Sequence, residues 1–176
     1  MQRLDKPLVL VGMMGAGKTS VGKRLAAALG VPFRDADAEI ESAAGCTITE
    51  IFERFGEPEF RSGERKVIQR LLTEPPHVLA TGGGAVIDPE TRASIKQHAI
   101  SIWLRAPIDL LIERVTRKDN RPLLRNTDMR ETLQRLLNER EGYYAEADIT
   151  VESDTGPHET VIKRILAALA ERYPET

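Results

Sequence analysis

Residues 12–19 read Gly-Met-Met-Gly-Ala-Gly-Lys-Thr, and this stretch decides the fold of the chain. The spacing of its outer glycines, its lysine and its threonine is typical of a phosphate-binding loop, in which a glycine-rich turn joins a strand to a helix. The apolar run 8–11 before it predicts a short buried strand, and the apolar spacing within 18–29 predicts an amphipathic helix. The motif therefore lies in the structural context that its chemistry requires.

The residues of this loop favour binding of a nucleoside triphosphate with Mg²⁺. Its glycines allow a tight bend, so that successive N–H groups point into one concavity at the positive end of the following helix. Lys18 is expected to reach the β- and γ-phosphates, and the Thr19 hydroxyl to bind Mg²⁺. The residues expected around the phosphates are Gly15, Ala16, Gly17, Lys18, Thr19 and Ser20.

Composition limits the class of protein. The chain has 176 residues, 41% of them hydrophobic, which predicts a single domain with a sizeable core. The formal net charge is −2 with both signs spread along the chain, so we expect neither a nucleic-acid partner nor binding to a membrane. The single cysteine, Cys46, and the lack of an apolar signal or membrane-spanning segment predict a cytoplasmic protein.

Short apolar runs alternate with helical patterns along the chain. Because the runs are mostly apolar rather than alternating, they predict a parallel sheet within a doubly wound α/β fold. The predicted strands are 8–11, 32–35, 77–81, 99–104 and 148–152, and the predicted helices are 18–29, 37–44, 47–73, 89–97, 107–117, 128–144 and 158–172. Ligands of such sheets bind beyond the carboxyl ends of the strands, so the segments after the first three strands should converge.

Two carboxylates, Asp35 and Asp37, follow the second predicted strand. One could support Mg²⁺ beside Thr19, while the other orients an acceptor hydroxyl or takes its proton. The alternative is that both only favour the start of the next helix, where acidic residues are common.

The third predicted strand is followed by three consecutive glycines at 82–84. Their bare backbone could bind a ligand closely, or they could form an ordinary turn. Arg61 and Glu64 lie three residues apart in a charged helical stretch. They could form a solvated surface pair, or Glu64 could hold Arg61 toward a substrate carboxylate or hydroxyl.

An arginine-rich segment, 117–128, lies between two predicted helices. A basic loop over a triphosphate site could act as a lid that excludes water and supplies positive charge, or it could be a solvated charged loop. Taken from the residues alone, the pattern indicates a kinase of small molecules with an anionic acceptor.

In order and spacing, these segments resemble those of the shikimate kinase family over essentially the whole chain. The matching segments are G-M-M-G-A-G-K-T at 12–19, D-A-D at 35–37, F-R-S-G-E at 60–64, G-G-G at 82–84, R-P-L-L at 121–124 and R-E-G-Y-Y at 140–144. The resemblance implies a P-loop kinase fold, with a five-stranded parallel sheet of order 2-3-1-4-5, helices on both faces and a mobile lid. It also implies transfer of the ATP γ-phosphate to the 3-hydroxyl of shikimate, in aromatic amino-acid biosynthesis. We expect a monomer.

The resemblance also implies roles for individual residues. Thr19 would bind Mg²⁺ directly, Asp35 would support the metal through water, and Asp37 would contact the shikimate hydroxyls as the candidate base. The substrate carboxylate and ring would be bound by Arg61, Glu64, Gly82, Gly83, Gly84 and Arg140, with Glu64 orienting Arg61. The ATP molecule would meet Arg121 of the lid at its phosphates, and Arg114 and Pro157 beside its adenine. Lys18, Asp37 and Arg121 form the expected catalytic set.

Two other classes stay open. A related small-molecule kinase could act on gluconate or a nucleoside monophosphate, although the order of Arg61, the glycine triplet and Arg140 argues against both. A nucleotide-binding module without turnover would not need arginines in a lid. A GTPase switch would carry an Asn-Lys-x-Asp motif, and the sequence has none.

Overall fold

The central strand of the sheet is the apolar run that precedes the phosphate-binding loop. In the computed structural model, which describes residues 4–119 and 126–174, the side chains of this strand are at most 3% exposed. The strands are β1 (Leu8–Val11), β2 (Phe33–Asp35), β3 (Val78–Ala80), β4 (Ile100–Arg105) and β5 (Ile149–Glu152). All are parallel in the order β2-β3-β1-β4-β5, as the resemblance implied.

The register of the sheet explains the apolar pattern of its strands. Leu8 of β1 pairs with Val78 on one side and Ile100 on the other, so β1 is covered on both edges and both faces. The edge strand β5 instead alternates, with Ile149 and Val151 buried and Thr150 and Glu152 exposed. Continuous apolar runs therefore mark the central strands, as expected for a doubly wound sheet.

Helices connect the parallel strands. They are α1 (Lys18–Leu29), α2 (Ala36–Ala44), α3 (Ile48–Phe55), α4 (Glu57–Leu71), α5 (Pro89–His98), α6 (Ile108–Asp119), α7 (Asn126–Tyr144) and α8 (His158–Arg172), with a 3-10 turn at Ala85–Ile87. Helix α1 packs against α8, and α4 packs against α5, in keeping with right-handed crossovers that run in opposite directions from β1. Within the described ranges, no helix is long and apolar enough to span a bilayer.

The prediction of one helix over 47–73 was wrong, because the helix is interrupted at Gly56 and two helices form. A capping box between Thr47 and Glu50 starts α3, and Gly56 ends it with φ 82° and ψ 172°. That positive φ favours glycine. Pro58 then lies in the first turn of α4, where a missing N–H is tolerated. The break gives α4, which carries Arg61, its own direction.

The segment predicted to form a lid, 117–128, is helical at both of its ends. Helix α6 continues to Asp119 and α7 begins at Asn126, so 117–119 and 126–128 are helical. The residues between them, 120–125, lie outside the described part of the chain. Arg121 is one of them, so its predicted action from a lid stays a prediction.

The order of the strands positions the site. β2, β3 and β1 are neighbours, so the segments that follow their carboxyl ends meet at one edge of the sheet. A Cβ on Gly83, after β3, would lie 3.6 Å from the Gly12 carbonyl oxygen, after β1. The predicted convergence of these segments is therefore confirmed.

Candidate active site

The phosphate-binding loop is wrapped around its own lysine. Lys18 is 9% exposed, and its Nζ donates to the carbonyl oxygens of Gly12 at 2.5 Å and Met13 at 2.9 Å. Gly15 and Gly17 have φ of 82° and 93°, which produces the tight bend predicted for the loop. The loop thus holds a buried ammonium group against two of its own carbonyl oxygens.

The surroundings of Lys18 shift its protonation. Burial lowers the pKa of Lys18 from 10.5 to about 8, although the carboxylates of Asp37 and Asp35 oppose this change and the charge of Arg140 adds to it. An anion bound in the loop would favour the charged form. The lysine, two carboxylates and one guanidinium are therefore close enough to form one electrostatic unit.

Asp35 has two different partners at the end of β2. Its Oδ1 accepts from the backbone N–H groups of Asp37 at 2.9 Å and Ala38 at 3.2 Å, which caps α2. Its Oδ2 accepts from Thr19 Oγ1 at 3.3 Å. Asp35 therefore caps α2, as one interpretation expected, and its second oxygen lies beside Thr19, where the predicted support of Mg²⁺ would require it.

Asp37 and Arg140 lie close to the glycine triplet. A Cβ on Gly82 would lie 3.1 Å from Oδ1 of Asp37, and a Cβ on Gly83 would lie 3.2 Å from Nη1 of Arg140. None of these three glycines is among the positive-φ glycines of the described chain. Lack of a side chain here serves close approach rather than backbone conformation.

Arg61 lies directly over Gly84. A Cβ there would come within 2.9 Å of the Arg61 Cζ. Arg61 Nη1 donates to Glu64 Oε1 at 2.9 Å, and the Glu64 side chain is only 3% exposed. Burial raises the pKa of Glu64, and the hydrogen bond and charge of Arg61 oppose that rise. A solvated surface pair does not fit this burial, since the pair lies against the glycine triplet.

Arg140 is a buried cation on α7. It is 8% exposed, and its Nε is buried with no hydrogen-bond partner among the described residues. Buried N–H groups in proteins are almost always paired, so an unpaired one on a guanidinium beside the glycine triplet favours binding of an acceptor such as a carboxylate.

Arg114 contacts the phosphate-binding loop and the segment that leads to Pro157. Arg114 donates from Nη1 to the Gly15 carbonyl oxygen and from Nη2 to the Asp154 carbonyl oxygen, both at 3.1 Å. Burial lowers the pKa of Arg114. Pro157 is the N-cap residue of α8, three residues after Asp154. These residues are grouped around the loop, apart from the cluster of Arg61, Asp37 and Arg140.

Sequence reasoning missed two polar residues of the site. Tyr144 is fully buried, and its hydroxyl donates to the Gly83 carbonyl oxygen at 2.5 Å. Ser153 is 2% exposed and donates to the Ala16 carbonyl oxygen at 3.3 Å. The spacing of Tyr144, four residues after Arg140, places both on one helix face and could have indicated a shared site. No local signal marks Ser153.

Together these groups can bind two ligands side by side. The loop offers N–H groups and a cation to a phosphate chain, and two guanidinium groups with one carboxylate lie next to it around a bare backbone. A parallel sheet of this order with such a site defines a P-loop kinase of small molecules.

Comparisons with known proteins identify the family. The shikimate kinase family model matches residues 14–170. A shikimate kinase of Caulobacter vibrioides is 56% identical over 168 residues, covering 96% of this chain and 84% of the relative. A shikimate kinase of Acinetobacter baumannii, solved in complex with shikimate, superposes with a TM-score of 0.89 at 40% identity and covers 97% of this chain and 96% of the other. The chain belongs to the shikimate kinase family.

Proposed function

We propose that this chain transfers the γ-phosphate of ATP to the 3-hydroxyl of shikimate. The observation that carries the proposal is the position of Arg61, Arg140 and Asp37 around the glycine triplet, next to the phosphate-binding loop. Two guanidinium groups suit one carboxylate, and a carboxylate suits hydroxyl groups. Shikimate carries both kinds of group on one small ring.

The two arginines would hold the carboxylate end of shikimate. Arg61 is aligned by the buried Glu64, and Arg140 brings an Nε–H that has no partner among the described residues. Arg140 is already buried and therefore loses little further water on binding. Fixing the carboxylate at this end would fix the position of the ring hydroxyls at the other.

Asp37 would orient the acceptor hydroxyl or take its proton. Its carboxylate lies beside Gly82 and close enough to Lys18 to oppose the lowering of that lysine's pKa by burial. Lys18 and the backbone N–H groups of the loop would stabilise charge on the transferred phosphoryl group. Arg121, in the undescribed segment 120–125, would add positive charge by the resemblance alone.

The residues at the base of the loop fit Mg²⁺. Thr19 and Asp35 present two oxygens within 3.3 Å of each other, and oxygen is the ligand that Mg²⁺ prefers. In kinases Mg²⁺ keeps several waters and binds phosphates with one or two protein oxygens, so a larger acidic cluster is not needed. We propose that Thr19 and Asp35 hold the ion. When bound, it would neutralise developing charge on the β- and γ-phosphates.

An acceptor assay tests the proposal. ADP formation from ATP is measured with shikimate, with gluconate and with no acceptor, and the product is examined by ³¹P and ¹H NMR. We expect rapid ADP formation only with shikimate, and phosphate on the 3-oxygen. Turnover with gluconate would favour the related kinase, and slow hydrolysis that ignores all acceptors would favour a nucleotide-binding module. We also propose an active monomer, which sedimentation during turnover would test.

A further inference from the structure

Tyr144 is a buried residue that the proposed reaction does not use directly. It is the last residue of α7 and has 0% exposure. Its ring packs against Trp103 of β4, with centroids 5.8 Å apart and planes tilted by 34°. Trp103 in turn lies against the phosphate-binding loop, since its Cδ1 would be 3.4 Å from a Cβ on Gly12. The Tyr144 ring thus packs on Trp103, which itself lies against the phosphate-binding loop.

The hydroxyl of Tyr144 joins two parts of the site that are distant in sequence. It donates to the Gly83 carbonyl oxygen at 2.5 Å, across 61 residues. Arg140, one turn earlier on the same helix, lies close enough to lower the pKa of this hydroxyl against the effect of burial. The Arg140 guanidinium lies over Gly83, where a Cβ would be 3.2 Å from Nη1. Tyr144, Arg140 and Gly83 therefore form a closed triangle of contacts.

The same hydroxyl reaches the phosphate-binding loop. Its oxygen lies 3.7 Å from Sδ of Met13, which is 2% exposed. Burial raises the pKa of Tyr144, with the charge and hydrogen bond of Arg140 opposing the rise, so the group stays a neutral donor at physiological pH. A neutral hydroxyl that both donates and accepts can fix a carbonyl and a guanidinium at once.

We propose that Tyr144 is a positioning residue for the acceptor site, acting through Arg140 and Gly83. This inference rests on the proposed function, in which Arg140 binds the shikimate carboxylate. The tyrosine hydroxyl sets the rotamer of Arg140 and the plane of the Gly83 peptide. It thereby orders the Arg140 guanidinium beside Gly83 before the substrate arrives, which lowers the ordering cost of binding.

The neighbouring Tyr143 provides a matched control. It is 37% exposed, and its ring lies under the Arg92 guanidinium at 4.3 Å, away from the contacts of Tyr144. Tyr143→Phe and Tyr144→Phe delete the same atom from adjacent residues of one helix. A difference between the two variants therefore reports the environment of the Tyr144 hydroxyl rather than the loss of a hydroxyl as such.

Steady-state kinetics tests the inference. For Tyr144→Phe we expect the KM for shikimate to rise roughly 5- to 30-fold. The KM for ATP should stay close to wild type, because the short hydrogen bond of the hydroxyl goes to Gly83 on the acceptor side, whereas its contact with the phosphate-binding loop is a weak one to the Met13 sulfur. Tyr143→Phe should match wild type in both constants. A wild-type shikimate KM in Tyr144→Phe, or an equal rise in both KM values, would overturn the assignment. Loss of stability alone would lower the active fraction and leave both KM values unchanged.

A double-mutant cycle asks whether Tyr144 acts through Arg140. In an Arg140→Lys background, Tyr144→Phe should cause little further rise in the shikimate KM, because the group that it positions is already gone. Additive effects of the two substitutions would contradict the proposed route.

A second readout does not depend on the reaction. The ¹⁵N–¹H signal of the Arg140 Nε–H group should exchange with solvent faster in Tyr144→Phe than in wild type or Tyr143→Phe. An unchanged Arg140 signal would contradict the positioning role even if the kinetics changed. If wild type forms no ADP in response to shikimate, the proposed function fails, and the Arg140 signal still decides whether Tyr144 orders that side chain.

Discussion

At the scale of single residues, the two carboxylates at the end of β2 differ in the contacts of their oxygen atoms. Both oxygens of Asp35 are used within the chain, one by the start of α2 and the other by the Thr19 hydroxyl. Asp37 instead presents Oδ1 beside the bare backbone of Gly82, on the side of the glycine triplet. Two like residues at one strand end thus have different surroundings, and different surroundings allow different roles.

Asp37→Asn should separate catalysis from nucleotide binding. The amide keeps the shape of the side chain and loses the anion that orients or deprotonates a hydroxyl, so turnover should fall by a factor on the order of 10² or more. ATP affinity, measured by calorimetric titration, should change little. Asp35→Asn is the contrast, and it should raise the Mg²⁺ concentration needed for activity. Loss of ATP binding in Asp37→Asn would mean that the two roles are exchanged.

Arg61→Lys should weaken shikimate binding and leave ATP binding nearly intact. A lysine ammonium cannot reproduce the planar, two-bond grip of a guanidinium on a carboxylate. The loss should be about 1.5–3 kcal/mol, or roughly 10- to 150-fold in Kd by calorimetry. Arg70→Lys is the matched control on the same helix, since the Arg70 side chain is 52% exposed and pairs with Glu39 at the surface. Equal shikimate affinities in the two variants would place Arg61 outside the substrate site.

At the scale of elements, the segment after β3 acts as a bare platform for charged side chains. Helix α4 brings Arg61 over Gly84, and α7 brings Arg140 over Gly83. The break at Gly56 is part of this arrangement, because it lets α4 start anew after α3. A platform without side chains allows guanidinium groups from two helices to lie close to one stretch of backbone.

Gly84→Ala should weaken substrate binding at the bare segment after β3 without unfolding the protein. A Cβ there would occupy the position of the Arg61 guanidinium, which is the flexible end of a long side chain and can move aside. We therefore expect weaker shikimate binding with little change in the free energy of unfolding.

The control for Gly84→Ala is Gly142→Ala, at an exposed helical position where a Cβ would meet no atom within 4 Å. It should stabilise the protein by a few tenths to about 1 kcal/mol and leave binding unchanged. Calorimetry and urea unfolding measure both quantities. A Gly84→Ala protein that binds shikimate as tightly as wild type would refute the role of close approach at this position.

At the scale of the whole molecule, burial of Lys18 links the site to stability. Its pKa is about 8 in the folded chain against 10.5 as the ordinary value. Between these two pH values the unfolded state binds more protons than the folded state, so this lysine makes stability rise with pH. Below pH 8 both states are protonated, and the full cost of a buried ammonium opposes folding.

Lys18→Met should remove both this pH dependence of stability and the phosphoryl transfer activity. The difference in unfolding free energy, wild type minus variant, should rise between pH 8 and 10.5 by up to about 3 kcal/mol. Phosphoryl transfer should be lost at every pH, since the cation on the β- and γ-phosphates is gone. Lys23→Met, at an exposed position of the same helix, controls for loss of a lysine. Stability curves of wild type and Lys18→Met that stay parallel across this range would contradict the burial effect.

Local patterns in the sequence determined the class of fold and much of the site. The spacing of 12–19 with its flanking strand and helix identifies the phosphate-binding loop, because the signals lie within about twenty residues of one another. Apolar runs at the central strands predict a parallel sheet for the same reason. The sequence also contained a local signal for the helix break, namely Gly56 and Pro58. The helical periodicity on both sides of these residues masked that signal.

Only the tertiary structure decided which charges are buried and what faces them. Arg61 and Glu64 have the spacing of an ordinary surface pair, and packing against the glycine triplet makes Glu64 a buried partner. The bond from Tyr144 to Gly83 joins residues 61 positions apart. Burial, pKa and unpaired N–H groups depend on such distant contacts, which arise when the strand order brings separate segments together. A local pattern can name the residue types of a site, whereas the folded chain sets the environment in which they act.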